Sequence, residues 1–159
     1  MPVTALTTTY RRDGSFFIAS SDRTTDGVWV GSGSVERVDG PNAVAIGAAL
    51  NRQLDRSVLD VPHPRQDQWP AQGRKSLDPI IALAKLRSWR SFIRDATVAA
   101  VERDGDTVRI IPQARDGRRA DVFRTLTEHV LELLGPTDHE LGAALLEAFD
   151  AQRPEGDRT

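Results

Sequence analysis

The sequence predicts an α+β fold: a mostly antiparallel β-sheet with packed helices, arranged as two related strand-turn-helix halves. Three observations lead there. A segment recurs without gaps, two Asp-Gly pairs stand between alternating apolar runs, and an apolar helical segment separates the halves.

The repeat aligns Val35–Leu50 (VERVDGPNAVAIGAAL) with Val130–Leu145 (VLELLGPTDHELGAAL). Both copies read as strand, Gly-Pro turn and helix. Gly40-Pro41 and Gly135-Pro136 stop the strand, and Asn42 or Thr137 then supplies an N-cap oxygen for the orphan backbone N–H groups of the first turn. Glu140, three residues after Thr137, completes a capping box. The expected apolar stripes are Val44, Ala48, Leu50 and Leu54 in the first helix and Leu141, Leu145, Ala148 and Phe149 in the second. Gly47 and Gly142 occupy equivalent positions. A mid-helix glycine costs about 1 kcal/mol against alanine, so a matched pair implies close backbone packing, expected here against the sheet.

Ahead of each copy, Arg12-Asp13-Gly14 leads into Ser15–Ala19 and Arg103-Asp104-Gly105 leads into Asp106–Ile111, a hairpin signal in both cases. Residues Thr97–Val101 supply a partner strand for Thr107–Ile111. Further strands are expected at about Asp121–Leu126 and, in the comparable slot of the first half, at Gly27–Val30.

Between the halves, Asp78-Pro79 reads as a helix start, with aspartate as N-cap and proline at the first helical position. The helix is expected to run to about Ala96 through Ile80, Leu83, Leu86, Trp89, Phe92 and Ile93, with a kink or break near Arg87-Ser88 because these residues do not share one stripe. Residues 58–76 carry prolines and no period and read as a long loop. Trp29 and Trp89, among apolar neighbours, are expected in the core. The domain is expected to span 1–152, with 153–159 a polar frayed tail.

A chain of 159 residues fits one domain and buries roughly 70% of its unfolded surface. There is no cysteine, which excludes disulfides and thiolate metal sites and favours a cytoplasmic address. No basic-apolar leader opens the sequence, and no run approaches the roughly 18 apolar residues of a membrane span, so neither export nor membrane attachment is expected. The net charge of −2 makes nucleic acid an unlikely general partner. Its distribution is uneven. From Thr125 to Gln152 there is no Lys or Arg but there are Glu128, Glu132, Asp138, Glu140, Glu147 and Asp150, while Arg52–Arg119 carries most of the cations.

No catalytic constellation stands out, and no enzyme activity, cofactor, metal or small-molecule substrate is expected. Gly31-Ser32-Gly33-Ser34 lacks the Gly-Lys of a phosphate loop and leads into a strand. His63, His129 and His139 have no metal-ligand spacing, there is no nucleophile elbow, and Asp104/Asp106 flank a turn. Trp69, between Gln68 and Pro70 and near Asp67, has no apolar sequence neighbours. It is either an aromatic anchor for a partner or a plug that packs the loop back on the domain.

The segment Leu83–Ala96 (LAKLRSWRSFIRDA), followed by an alternating strand, a turn and Val108–Pro112, resembles the immunity proteins of contact-dependent growth inhibition systems. So does Asp138–Phe149 (DHELGAALLEAF). Together these cover about half the chain and belong to the family's scaffold. The resemblance implies a non-enzymatic cytoplasmic inhibitor that binds one cognate toxin domain, often a nuclease, in a one-to-one complex. A nuclease needs basic surface, and carboxylates would complement it. The toxin-binding candidates are then Trp69, Asp67, Glu128, Glu132, Asp138, Glu140, Glu147 and Asp150, with an ordinary solvated face as the other reading of the acids. A regulatory or nucleic-acid-binding module using the arginine-rich middle is the alternative function.

Overall fold

A computed structural model describes residues 2–116 and 119–152; the expected tail at 153–159 lies outside them. Strands Ala5–Arg12 (β1), Ser15–Arg23 (β2) and Trp29–Asp39 (β3) precede helix Ala43–Asp55 (α1). Helices Trp69–Ala84 (α2) and Trp89–Arg94 (α3) follow. Strands Thr97–Asp104 (β4), Thr107–Asp116 (β5), Arg119–Thr125 (β6) and Leu131–Leu134 (β7) then lead to the closing helix Asp138–Ala151 (α4). The strands form one antiparallel sheet in the order β3-β2-β1-β4-β5-β6, with β7 also paired to β5. The α+β class and its two related halves are therefore present in the fold.

The two hairpins turn differently. In the first, Arg12 pairs with Ser15, and both Asp13 (φ 50°) and Gly14 (φ 76°) are left-handed, as a type I′ turn requires. In the second, Asp104 pairs with Thr107, so the turn is Gly105-Asp106 rather than Asp104-Gly105, and only Gly105 has positive φ (57°), as in a type II′ turn. Glycine follows aspartate in both sequences, but the second strand runs one residue further.

β1 and β4 pair at the centre of the sheet, and the halves are related by a pseudo-two-fold through that pair: β2 flanks β1 as β5 flanks β4. β3 is one strand with a register shift opposite Ala19/Ser21, whereas its counterpart is broken into β6 and β7. No separate strand forms at Gly27–Val30. Gly27 and Val28 lie in the turn, and β3 begins at Trp29.

The repeated helices are capped as expected. Asn42 Oδ1 accepts from the Ala45 N–H at 3.0 Å, and Thr137 and Glu140 form the reciprocal capping box. Ile46, Gly47, Ala49, Leu50, Gln53 and Leu54 are buried in α1. The buried residues of α4 are Leu141, Gly142, Ala144, Leu145, Ala148 and Phe149, position for position the repeat counterparts. The stripe expected in α1 is thus rotated: Val44 is exposed and Ala48 only half-buried. The glycines meet the partner helix, not the sheet. A Cβ on Gly47 would lie 1.7 Å from the Asp138 carbonyl oxygen, and one on Gly142 would lie 1.8 Å from that of Ala43. Ala43 and Asp138 are themselves aligned in the repeat, so the contact is reciprocal.

α1 and α4 cover one face of the sheet, burying Phe16, Ile18, Ala99, Val101, Val108 and Ile110. On the other face, α2 and α3 enclose Tyr10, Phe17, Ile80, Phe92, Ile93 and Val98. Alternation along each strand sends neighbouring side chains to opposite layers, as with Phe16 and Phe17. α2 begins at Trp69, so most of the stretch expected as loop beyond Gln68 is helical and Asp78-Pro79 lies inside the helix. The expected break is real: Lys85 closes α2 in the left-handed conformation (φ 58°), and Ser88 caps α3. Trp89 is half-buried, stacked on Phe92 and edge-on to Tyr10, and Trp29 is also half-buried; neither is a full core residue.

Gly31 explains the glycine-serine run. A Cβ there would meet the Ser76 hydroxyl and backbone within 3 Å, and Gln72 Nε2 donates to the Gly31 carbonyl at 2.9 Å. The run lets α2 lie directly on the edge strand, an edge that would otherwise be open to pairing.

Candidate functional site

Pro136 and Thr137 start α4, and the burial of its apolar face against α1 turns Glu140, Glu147 and Asp150 to solvent. Asp138, at the first helical position, accepts from Asn51 Nδ2 of α1 at 2.7 Å. Glu140 is engaged in the capping box, and Asp150 pairs with Arg11 at 3.3 Å. Glu132, exposed on β7, faces Arg109 at 3.6 Å, and Arg109 also meets Glu102 at 3.4 Å. Glu128 lies in the short 3-10 turn Thr127–His129. Glu128 and Glu147 have no ion-pair partner among the described residues.

Trp69 and Asp67 belong to the other layer. Trp69 opens α2 and is 37% exposed, and its ring meets His63 edge-on at 5.4 Å. Asp67 is exposed in the turn Gln66–Gln68, 3.5 Å from Arg65. The acidic face of α4 and the Trp69 corner thus stand on opposite sides of the sheet, and the fold does not gather the candidates into one patch.

The Trp69 corner has an organising residue that the sequence did not single out. Thr24 is buried. Its N–H donates to the Val28 carbonyl, its hydroxyl accepts from the Val28 N–H and stands 3.0 Å from His63 Nδ1, and it forms a parallel bridge with Val61. His63 Nε2 lies 3.7 Å from Asp26. Val28, which bonds Thr24, is exposed, as are Val58 and Leu59 in the segment that leads to Val61. Scattered in sequence, they offer no period from which to read a surface.

Exposed Arg74, Lys75, Lys85, Arg87 and Arg90 lie along α2, α3 and their link together with Asp78, while the exposed carboxylates of α4 share the opposite layer with Arg52 of α1 and Arg56 at its C-terminal cap. Under α1, Glu36 accepts from Arg52 at 2.8 Å and from Gln53 at 2.9 Å. Partial burial alone would raise its pKa, but these hydrogen bonds and the nearby Arg52 charge outweigh that and hold the carboxyl below its ordinary value. Burial pushes the Tyr10 phenol well above its usual range, so it remains a protonated donor. Among the described residues no group of three or more His, Asp or Glu is placed to hold a metal ion, and no helix is long and apolar enough to cross a membrane.

No family model matches the chain, and no curated protein matches it in sequence. Its fold is shared with solved structures. A protein of unknown function from Neisseria meningitidis superposes with a TM-score of 0.77 at 11% identity, covering 94% of this chain and 95% of that one. A chain of the CdiA-CT/CdiI toxin and immunity complex from Yersinia pseudotuberculosis superposes with a TM-score of 0.72 at 13% identity, covering 96% of this chain and all (100%) of that one.

Proposed function

We propose that this protein is a cytoplasmic, non-enzymatic immunity protein that binds and neutralises the toxin domain of a contact-dependent growth inhibition system. The observation that carries this reading is the likeness, over nearly the whole chain, to a chain of a toxin and immunity complex. Two features of the molecule support it. The outer face of α4 carries the exposed carboxylates of Asp138, Glu140, Glu147 and Asp150, which would help steer a cationic domain such as a nuclease toward that helix. Trp69, 37% exposed at the start of α2, offers an aromatic anchor of the kind that holds a docked partner.

The direct test is co-expression with the toxin domain encoded beside its gene. Cells carrying both should grow, and cells carrying the domain alone should not. Growth arrest that this protein leaves unchanged would overturn the proposal.

The cationic outer layer of α2 and α3 favours a second reading, a nucleic-acid-binding module. Affinity for RNA or DNA falling steeply with salt, with no complex formed with the toxin domain, would select it.

A further inference from the structure

Between α2 and strands β1–β3 the structure leaves a cavity of about 200 Å³. Its wall mixes hydroxyl and hydrocarbon: Thr8, Tyr10 and Ser34 with Trp29, Leu77 and Ile80. Tyr10 is its only ionisable side chain among the described residues. Its ring is nine-tenths buried, and its hydroxyl makes no hydrogen bond to another described residue and is not among the fully buried polar atoms. That hydroxyl is therefore free to exchange water for a polar atom of a group that enters the cavity. A cavity of about 150 Å³ with an apolar lining is large enough to take benzene. The present one is somewhat larger and adds hydroxyls.

We propose that this cavity is a binding site for a neutral aromatic group of about the size of phenol, carrying one polar atom that pairs with the Tyr10 hydroxyl. The volume sets the size. The lack of a charged side chain in the wall excludes an ionised ligand, which would enter without a counter-charge. Trp29, Leu77 and Ile80 supply contact for the ring.

The cavity is partly open to solvent, and the N-terminal half of α2 is its more loosely held wall. Of the whole helix only Ile80, in its second half, is buried. The first half is held by the Gln72–Gly31 hydrogen bond and by the packing of Ser76 on Gly31. Gly73 weakens it, and Pro79 has no N–H to return to the Lys75 carbonyl, so the helix parts there more readily than α1 or α4.

Titration with phenol, followed by two-dimensional NMR of the backbone amides, tests the site. Saturable shifts confined to Gly31, Leu77, Ile80 and their neighbours are expected. Tyr10→Phe should weaken phenol about three- to tenfold, the worth of one hydrogen bond, and leave benzene unchanged. Ala19→Leu, which fills the cavity from β2, should abolish both; if that variant does not fold, the Tyr10→Phe comparison still decides. N-acetyltyrosinamide as a second probe distinguishes the sources. Binding of phenol alone assigns the site to a free small molecule, and binding of both assigns it to an aromatic side chain on a peptide. Shifts that do not saturate, or phenol affinity unchanged in Tyr10→Phe, would overturn the proposal.

Discussion

Replacing Gly47 with alanine should destabilise the protein even though alanine is the better helix former. Propensity alone favours the change by about 1 kcal/mol. The new Cβ, however, would lie 1.7 Å from the Asp138 carbonyl oxygen, a backbone atom that no rotamer change can move. Restoring normal contact requires the helices to separate by roughly 1.5–2 Å. That separation loosens the interface formed by Ile46, Leu50, Leu141 and Leu145, all fully buried. Overpacking typically costs about 1–3 kcal/mol, and the lost contacts add to it, for a net loss of about 3 kcal/mol. In a domain of this size that lowers Tm by roughly 6–12 °C. Gly142→Ala should cost a similar amount, since its Cβ meets the Ala43 carbonyl oxygen at 1.8 Å. The double variant should lose less than the sum, because one separation accommodates both methyl groups. Thermal unfolding followed by circular dichroism reads all three. A Gly47→Ala variant as stable as the parent, or more stable, would refute the reciprocal helix contact.

Two other substitutions probe the second layer and the pH dependence. Phe92→Ala should cost about 3–5 kcal/mol, because the ring is wholly buried among Tyr10, Phe17 and Trp89, whereas Trp89→Ala should cost less, the ring being half-exposed; denaturant unfolding would rank them. Glu36, whose folded pKa lies below its ordinary 4.5, contributes stability that is present above that value and is lost as pH falls through the folded pKa. The gap in Tm between the parent and Glu36→Gln should therefore narrow from about pH 6 to about pH 3, and a gap that widens would contradict the hydrogen-bonded carboxylate.

What the sequence made legible was local. The Gly-Pro stops, the Asn42 and Thr137 caps and the two hairpins depend on residues a few positions apart, and each forms in the structure. The repeat was legible because the same positions face the same partner in both helices. What failed depends on distant contacts. Ile46, not Val44, faces inward because the mutual approach of Gly47 and Gly142 sets the rotation of α1. Pro79 looked like a helix start, yet α2 runs through it because the helix is laid down on β3 by Gly31 and Gln72. β1 carries Thr7, Thr8 and Thr9, a β-branched run that favours a strand without any apolar alternation to reveal it. The candidate residues were legible as types, but their division between two layers follows from strand alternation and chain crossing, which no local pattern encodes.

Surface plasmon resonance between this protein and the toxin domain encoded beside its gene tests the central claim most directly. The account predicts a one-to-one complex with Kd of about 10 nM or tighter. Glu147→Lys, reversing a charge on the outer face of α4 that has no ion-pair partner among the described residues, should slow association and flatten its salt dependence, while Trp69→Ala should chiefly speed dissociation. Ordinary kinetics in both variants would move the interface elsewhere on the molecule. No binding between the intact, folded partners would contradict the immunity function itself.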